Sequence, residues 1–183
     1  MLAENLDRLL LETIGYLIDR WYERDVGIVA SCLVDGDNKV FATSTRDGQN
    51  WKHAERNAYE AFRKVYGEPS SDAVFVVTLS PCLKTLKYRG EPSCSQLMKE
   101  LGVKRTHFGV LDDMHVNCPE DYAENGLIAT LTEDRRLADM CKKLMSMFAI
   151  YDSRINSDLL GIKLELGDQF FDEVLSLRLS ESV

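Results

Sequence analysis

The run DAVFVVTL at residues 72–79 constrains the fold more than any other stretch, because every position from Ala73 to Val77 is apolar. A strand without a polar face has to be covered on both sides, which is the situation of a central strand in an α/β sheet. The flanking sequence supplies the rest of such a sheet. VGIVASCLV at 26–34 and KVFATST at 39–45 read as two strands joined by the turn signal DGDN at 35–38, a hairpin. A helix is expected over about 53–65, where Ala54, Ala58, Ala61, Phe62 and Val65 fall on one side. Ser93 is placed to cap a second helix that runs to about 101 and stops at Gly102. KRTHFGVLDD then reads as a strand, PEDYAEN as a short helix closed by Asn-Gly, GLIATL as a further strand, and 133–148 as a last helix. Strands separated by helices after an initial hairpin predict an α/β, three-layer αβα architecture. Its mixed sheet should have about five strands, covered by helices on both faces.

A chain of 183 residues suits a single domain, with a core at about 26–148, an N-terminal helix over 1–23 and a C-terminal extension over 150–183. Leu2, Leu6, Leu9, Leu10, Ile14, Leu17, Ile18 and Trp21 recur at helical spacing, so the first helix is expected to pack. GIKLELG at 161–167 alternates as an edge strand does. The extension holds seven acids against three bases, half of the chain's net charge of −8. No run of 18 uncharged apolar residues indicates a membrane span, and the N-terminus lacks the basic start of a signal peptide, so a cytoplasmic location is expected. The acidic balance argues against nucleic acid as a partner, since that requires an extended basic surface. Five cysteines, an odd number without an export signal, point to thiols and metal ligation rather than disulfides.

Three short motifs fall at helix starts or strand ends: HAE at 53–55, SPC at 80–82 and EPSC at 91–94. One histidine and two cysteines make a three-ligand site for Zn2+, with the fourth position left to water. His53, Cys82 and Cys94 are therefore the candidate ligands, with Cys118, before Pro119, as the rival to Cys94 for third place. Glu55, two residues from His53, is the candidate acid/base. The pattern H-x-E…P-C…C is the signature of zinc-dependent base deaminases. Zinc lowers the pKa of its water from about 16 toward roughly 7, and the resulting zinc-bound hydroxide attacks the amine-bearing ring carbon. Glu55 then carries a proton to the ring nitrogen and on to the departing ammonia. Ligand cysteines have to be thiolates, and the first turn of a helix is expected to help Cys94 ionise. Cys32, in a buried strand, and Cys141, on the inner side of a helix, read as core thiols. His107, within a strand, reads as structural.

These motifs resemble the cytidine-deaminase-fold superfamily, and within it the deaminase domain of the bifunctional riboflavin-biosynthesis deaminase–reductases. The resemblance covers residues 26–130 or so: the hairpin with DG, HAERNAYEA, VVTLSPC, PSC, GVLDD and YAENGLIAT. It implies the cytidine-deaminase-like fold, a zinc-dependent enzyme and a homo-oligomer, a dimer or larger. Eleven residues separate Cys82 from Cys94, whereas cytidylate and transfer-RNA deaminases hold two. The riboflavin enzymes carry Pro-Asn-Pro before the first strand, with an asparagine that helps hold the base; here the stretch is YERDVG. The chemistry thus carries over further than the substrate does.

The function expected is hydrolytic deamination of a small amino-substituted heterocycle, a pyrimidine nucleotide or nucleoside of the riboflavin-pathway diaminopyrimidine or cytosine type. The alternatives are a nucleic-acid base editor and a non-catalytic zinc-binding interaction protein of the same fold; a structural site has no use for Glu55. The loop between the cysteines, LKTLKYRGEPS, concentrates Lys84, Lys87 and Arg89 against one acid, Glu91. It reads either as a solvated surface loop or as a clamp for a phosphorylated small-molecule substrate. His115, in the loop after the strand at GVLDD, is a candidate substrate contact, since ligands of open α/β sheets bind beyond the C-terminal ends of the strands.

Overall fold

A computed structural model describes residues 2–23, 25–47, 50–84, 92–112, 118–153, 167, 170–174 and 176–177. Six strands form one sheet in the order β3-β2-β1-β4-β5-β6. They are β1 (Val26–Asp35), β2 (Asn38–Asp47), β3 (Asn50–Lys52), β4 (Val74–Leu79), β5 (Arg105–Val110) and β6 (Ile128–Leu131). The helices are α1 (Leu2–Asp19), α2 (Ala54–Tyr66), α3 (Cys94–Glu100), α4 (Glu120–Glu124) and α5 (Arg135–Ser153). The sixth strand beyond the expected five is the three-residue β3, which pairs antiparallel with β2 through Thr45 and Lys52.

The sheet is mixed. β2 and β4 flank β1 antiparallel, while β4, β5 and β6 run parallel. β4 sits inside it, and its alternation divides the core. Val74 and Val76 face a cluster with Leu10, Ile14 and Leu17 of α1 and Leu137, Met140 and Leu144 of α5. Phe75 and Val77 face the opposite cluster, with Ala58 and Phe62 of α2, Met98 of α3 and Tyr122 of α4. Both faces of DAVFVVTL are thus covered, which gives the three layers. Phe170, Val174 and Leu177 join the first cluster, with the Phe170 ring 5.9 Å from Trp21. Of GIKLELG, residues 161–166 lie outside the described residues, and Gly167 is helical.

Two features shape the end of the sheet that carries the site. The β1–β2 register shifts between Val26 and Ala30. There the Val29 N–H turns to Ser44 Oγ at 3.3 Å and the Ala30 N–H to Thr78 Oγ1 at 3.1 Å, so side chains supply acceptors where the ladder breaks. At the C-terminal end of β4, Ser80 N–H donates to the Val110 carbonyl, and Ser80 Oγ accepts from the Asp112 N–H at 2.9 Å. That tie holds the two parallel strand ends together where the chain leaves the sheet. Among the described residues, no helix is long and apolar enough to cross a membrane.

Candidate metal centre

His53 is the N-cap of α2; its side chain makes no capping bond and its ring faces the turns that carry Cys82 and Cys94. Cys82 follows β4 by three residues, where Pro81 has ended the strand. Cys94 opens α3, capped by Ser93 Oγ accepting from Gln96 N–H at 3.2 Å. The three ligand atoms lie within 4.8 Å of one another. His53 Nδ1 is 3.8 Å from Cys82 Sγ and 3.3 Å from Cys94 Sγ. Zinc–sulfur bonds near 2.3 Å and zinc–nitrogen bonds near 2.0–2.1 Å place tetrahedral ligands about 3.5–3.8 Å apart. The spacing and the donor set, one imidazole and two buried thiols, both fit zinc. Among the described residues this is the one such group of histidine, cysteine and acid side chains.

The structure brings Cys94 to His53 and leaves Cys118 outside the cluster. The Cys118 thiol is half-exposed, and its hydrogen bond with Glu120 pushes its pKa up. Cys32 and Cys141 are buried thiols, pushed up to about 12 and higher still by desolvation. His107 is a satisfied structural residue. Its Nε2 meets Asp7 Oδ1 and its Nδ1 meets Thr130 Oγ1, both at 2.9 Å.

Glu55 is 3 % exposed. Desolvation pushes its carboxyl above the usual carboxylate range, the His53 ring opposes this, and Cys82 adds to it. A carboxyl whose proton affinity is raised by burial is suited to accepting and passing on a proton. The two thiols divide one proton in the metal-free protein. Cys82 is held down to about 4, chiefly by the hydrogen bond from Cys94 and then by His53, against the effect of burial. Cys94 is pushed up, first by that same bond and then by its burial. The Cys94 N–H also donates to Cys82 Sγ at 3.2 Å, and the Ser95 N–H donates to the Cys82 carbonyl at 3.1 Å.

Lys84 is exposed, two residues past Cys82. Lys87, Arg89 and His115 lie outside the described residues. Four further residues around the cluster are not singled out by the sequence reading. Arg56 donates through its guanidinium to the Pro92 carbonyl. Asn57 Nδ2 donates to the Thr43 carbonyl at 2.8 Å and to Thr45 Oγ1 at 3.0 Å, fixing α2 to β2. Tyr122 Oη donates to the Pro81 carbonyl at 2.6 Å, and Asp112 is buried beside Ser80. All four lie within stretches that carry the family resemblance, HAERNAYEA, GVLDD and YAENGLIAT, but their contacts at the cluster are set by the folded chain.

Known proteins share this fold. The chain resembles a diaminohydroxyphosphoribosylaminopyrimidine deaminase/5-amino-6-(5-phosphoribosylamino)uracil reductase from Thermotoga maritima, with a TM-score of 0.56 and 24 % identity. That match covers 79 % of this chain and 42 % of that structure. It also resembles RibD of Acinetobacter baumannii, with a TM-score of 0.57 and 20 % identity, over 82 % of this chain and 41 % of that one. The chain thus spans about two-fifths of the length of these structures, and at such identity the likeness is one of fold. No curated protein matches the chain. The family model for the cytidine and deoxycytidylate deaminase zinc-binding region matches residues 6–110, which include His53, Glu55, Cys82 and Cys94. That span is more than half of the chain, which belongs to this family of zinc-binding deaminase regions.

Proposed function

We propose that the protein is a zinc-dependent hydrolytic deaminase of a small amino-substituted pyrimidine, a nucleotide or nucleoside of the diaminopyrimidine or cytosine type. The observation that carries this reading is Glu55, a buried carboxyl that is not a ligand, set beside a His53–Cys82–Cys94 group with the spacing zinc requires. Bound by these three residues, zinc supplies the Lewis acidity that makes water nucleophilic near neutral pH. Glu55 takes a proton from the attacking water and gives it to the ring nitrogen, which lets the amine-bearing carbon accept the new C–O bond. A second transfer through Glu55 protonates the amine, the C–N bond breaks, and ammonia leaves as the carbonyl forms. Burial keeps competing water away from the carboxyl and raises its affinity for the proton it carries.

The loop cations Lys84, Lys87 and Arg89 support a phosphorylated substrate, because both ends of their loop are tied to ligand cysteines. His115 is assigned to substrate contact on its position after β5. The name of the Thermotoga relative, which acts on a phosphoribosylaminopyrimidine, points the same way. We also take the chain as one domain that acts in the cytoplasm as a homo-oligomer. A monomer in sedimentation at working concentration would count against the assembly.

The test of substrate class is a panel of amino-heterocycles, nucleosides and nucleotides presented to the zinc-loaded protein, with ammonia as the readout. Replacing Lys87 and Arg89 by alanine should raise KM for the nucleotide and leave the nucleoside nearly unchanged. Each lost charge-assisted contact costs about 1.5–3 kcal/mol, roughly tenfold or more in kcat/KM. Equal losses on both substrates would mean that the loop supports the metal site instead. Tight oligonucleotide binding with a steep negative salt slope would favour a nucleic-acid substrate.

A further inference from the structure

The two cysteine-bearing turns share a construction that the ligand set does not explain. Each is entered through a proline, Pro81 before Cys82 and Pro92 two residues before Cys94. A proline offers no N–H to the main-chain network, so its carbonyl is the backbone handle by which it can be held. In both turns that carbonyl is taken by a side chain from a distant element. Tyr122 on α4, fully buried with its ring 5.6 Å from that of Phe108, donates to the Pro81 carbonyl at 2.6 Å. Arg56, in the first turn of α2, donates to the Pro92 carbonyl. A cation is disfavoured at that end of a helix by the dipole, and the bond to a carbonyl offsets this.

We propose that Tyr122 and Arg56 are positioning residues of the metal site, each locking the prolyl carbonyl that leads into a ligand cysteine. The direct links between the turns, Cys94 N–H to Cys82 Sγ and Ser95 N–H to the Cys82 carbonyl, fix the cysteines relative to each other. They do not fix the pair relative to His53 and Glu55, which stand on α2. Arg56 joins the Cys94 turn to α2, and Tyr122 joins the Cys82 turn to the helix that packs behind β5. With either bond lost, a thiolate drifts from the imidazole while the chain stays folded. The assignment rests on the zinc-site reading above.

The experiment follows metal release rather than turnover. Zinc-loaded wild type, Tyr122→Phe, Arg56→Ala and Arg56→Lys are mixed with a chromogenic chelator, and cobalt-substituted samples are compared by absorption. Tyr122→Phe keeps the ring and removes only the donor. Leu144→Ala, in the core on the other face of the sheet, controls for lost stability. Tyr122→Phe and Arg56→Ala should release zinc about 10- to 100-fold faster, the usual scale for residues that orient ligands. Their cobalt bands should shift, Arg56→Lys should restore most of the wild-type rate, and Leu144→Ala should melt earlier yet release zinc normally. Wild-type release from Tyr122→Phe and Arg56→Ala, or equal acceleration by Leu144→Ala, would overturn the assignment. A wild-type protein that takes up no zinc would overturn both it and the proposed function.

Discussion

Replacing Glu55 by glutamine separates chemistry from metal binding, and the two effects have opposite signs. The side chain keeps its volume, all three ligands stay, and one ionisable proton carrier is lost. Zinc content should remain near wild type, while turnover falls by about 10²–10⁴-fold, the scale of general acid/base catalysis. That corresponds to about 2.7–5.5 kcal/mol of transition-state stabilisation. Stability of the zinc-stripped protein should move the other way. Burial raises the folded-state pKa of Glu55 above its ordinary value of 4.5. Its contribution to stability is therefore complete below that value and is lost as pH rises through the folded-state pKa. Glutamine never ionises and keeps that contribution. The stripped Glu55→Gln protein should accordingly melt higher than stripped wild type at neutral pH, and the gap should close near pH 4. The assays are steady-state ammonia release with zinc measured on the same sample, and melting curves across pH. Near-normal turnover at full zinc, or a stripped variant less stable at neutral pH, would refute the reasoning.

Cys94→Ser should lose most of the zinc and Cys118→Ser should retain it, as read by metal analysis after gel filtration; the reverse pattern would reassign the third ligand. Phe170→Ala should cost about 3–5 kcal/mol in denaturant unfolding, because the ring is buried against Trp21. A loss below about 1 kcal/mol would show that this segment contributes little to the core. His107 is depressed by burial, against the pull of Asp7. Its contribution is present above its ordinary value of 6.5 and is lost as pH falls through its lower folded-state pKa. The stability profile should fall on the acid side of pH 6.5 and flatten in His107→Gln; an unchanged profile would mean that burial does not outweigh the pull of Asp7.

The central strand could be read directly, since five apolar positions in a row admit few environments, and the structure buries both faces of Val74–Val77. The ends of α3 and α4 were legible for local reasons: Ser93 caps one, and Gly102 and Gly126 adopt φ of 71° and 73° after the two helices. β3 was not legible, because three residues carry no period and its formation depends on pairing with β2. The role of Phe170, Val174 and Leu177 was hidden by the acids around them, although their spacing is helical. At the site, His53, Glu55, Cys82 and Cys94 stood out because metal chemistry restricts residue type and order. The grip of Tyr122 and Arg56 on two prolyl carbonyls depends on tertiary contact, so the stretches that hold them do not reveal it.

We propose that zinc held by His53, Cys82 and Cys94 works with Glu55 to release ammonia from an amino-pyrimidine. This is tested most directly by titrating zinc into stripped protein while following ammonia from the best substrate of the panel. The rate should rise in proportion to zinc and break at one ion per chain, and Glu55→Gln should bind the same ion without the rise. Ammonia release that is equal without zinc, or a fully loaded protein that deaminates no amino-heterocycle in the panel, would contradict it.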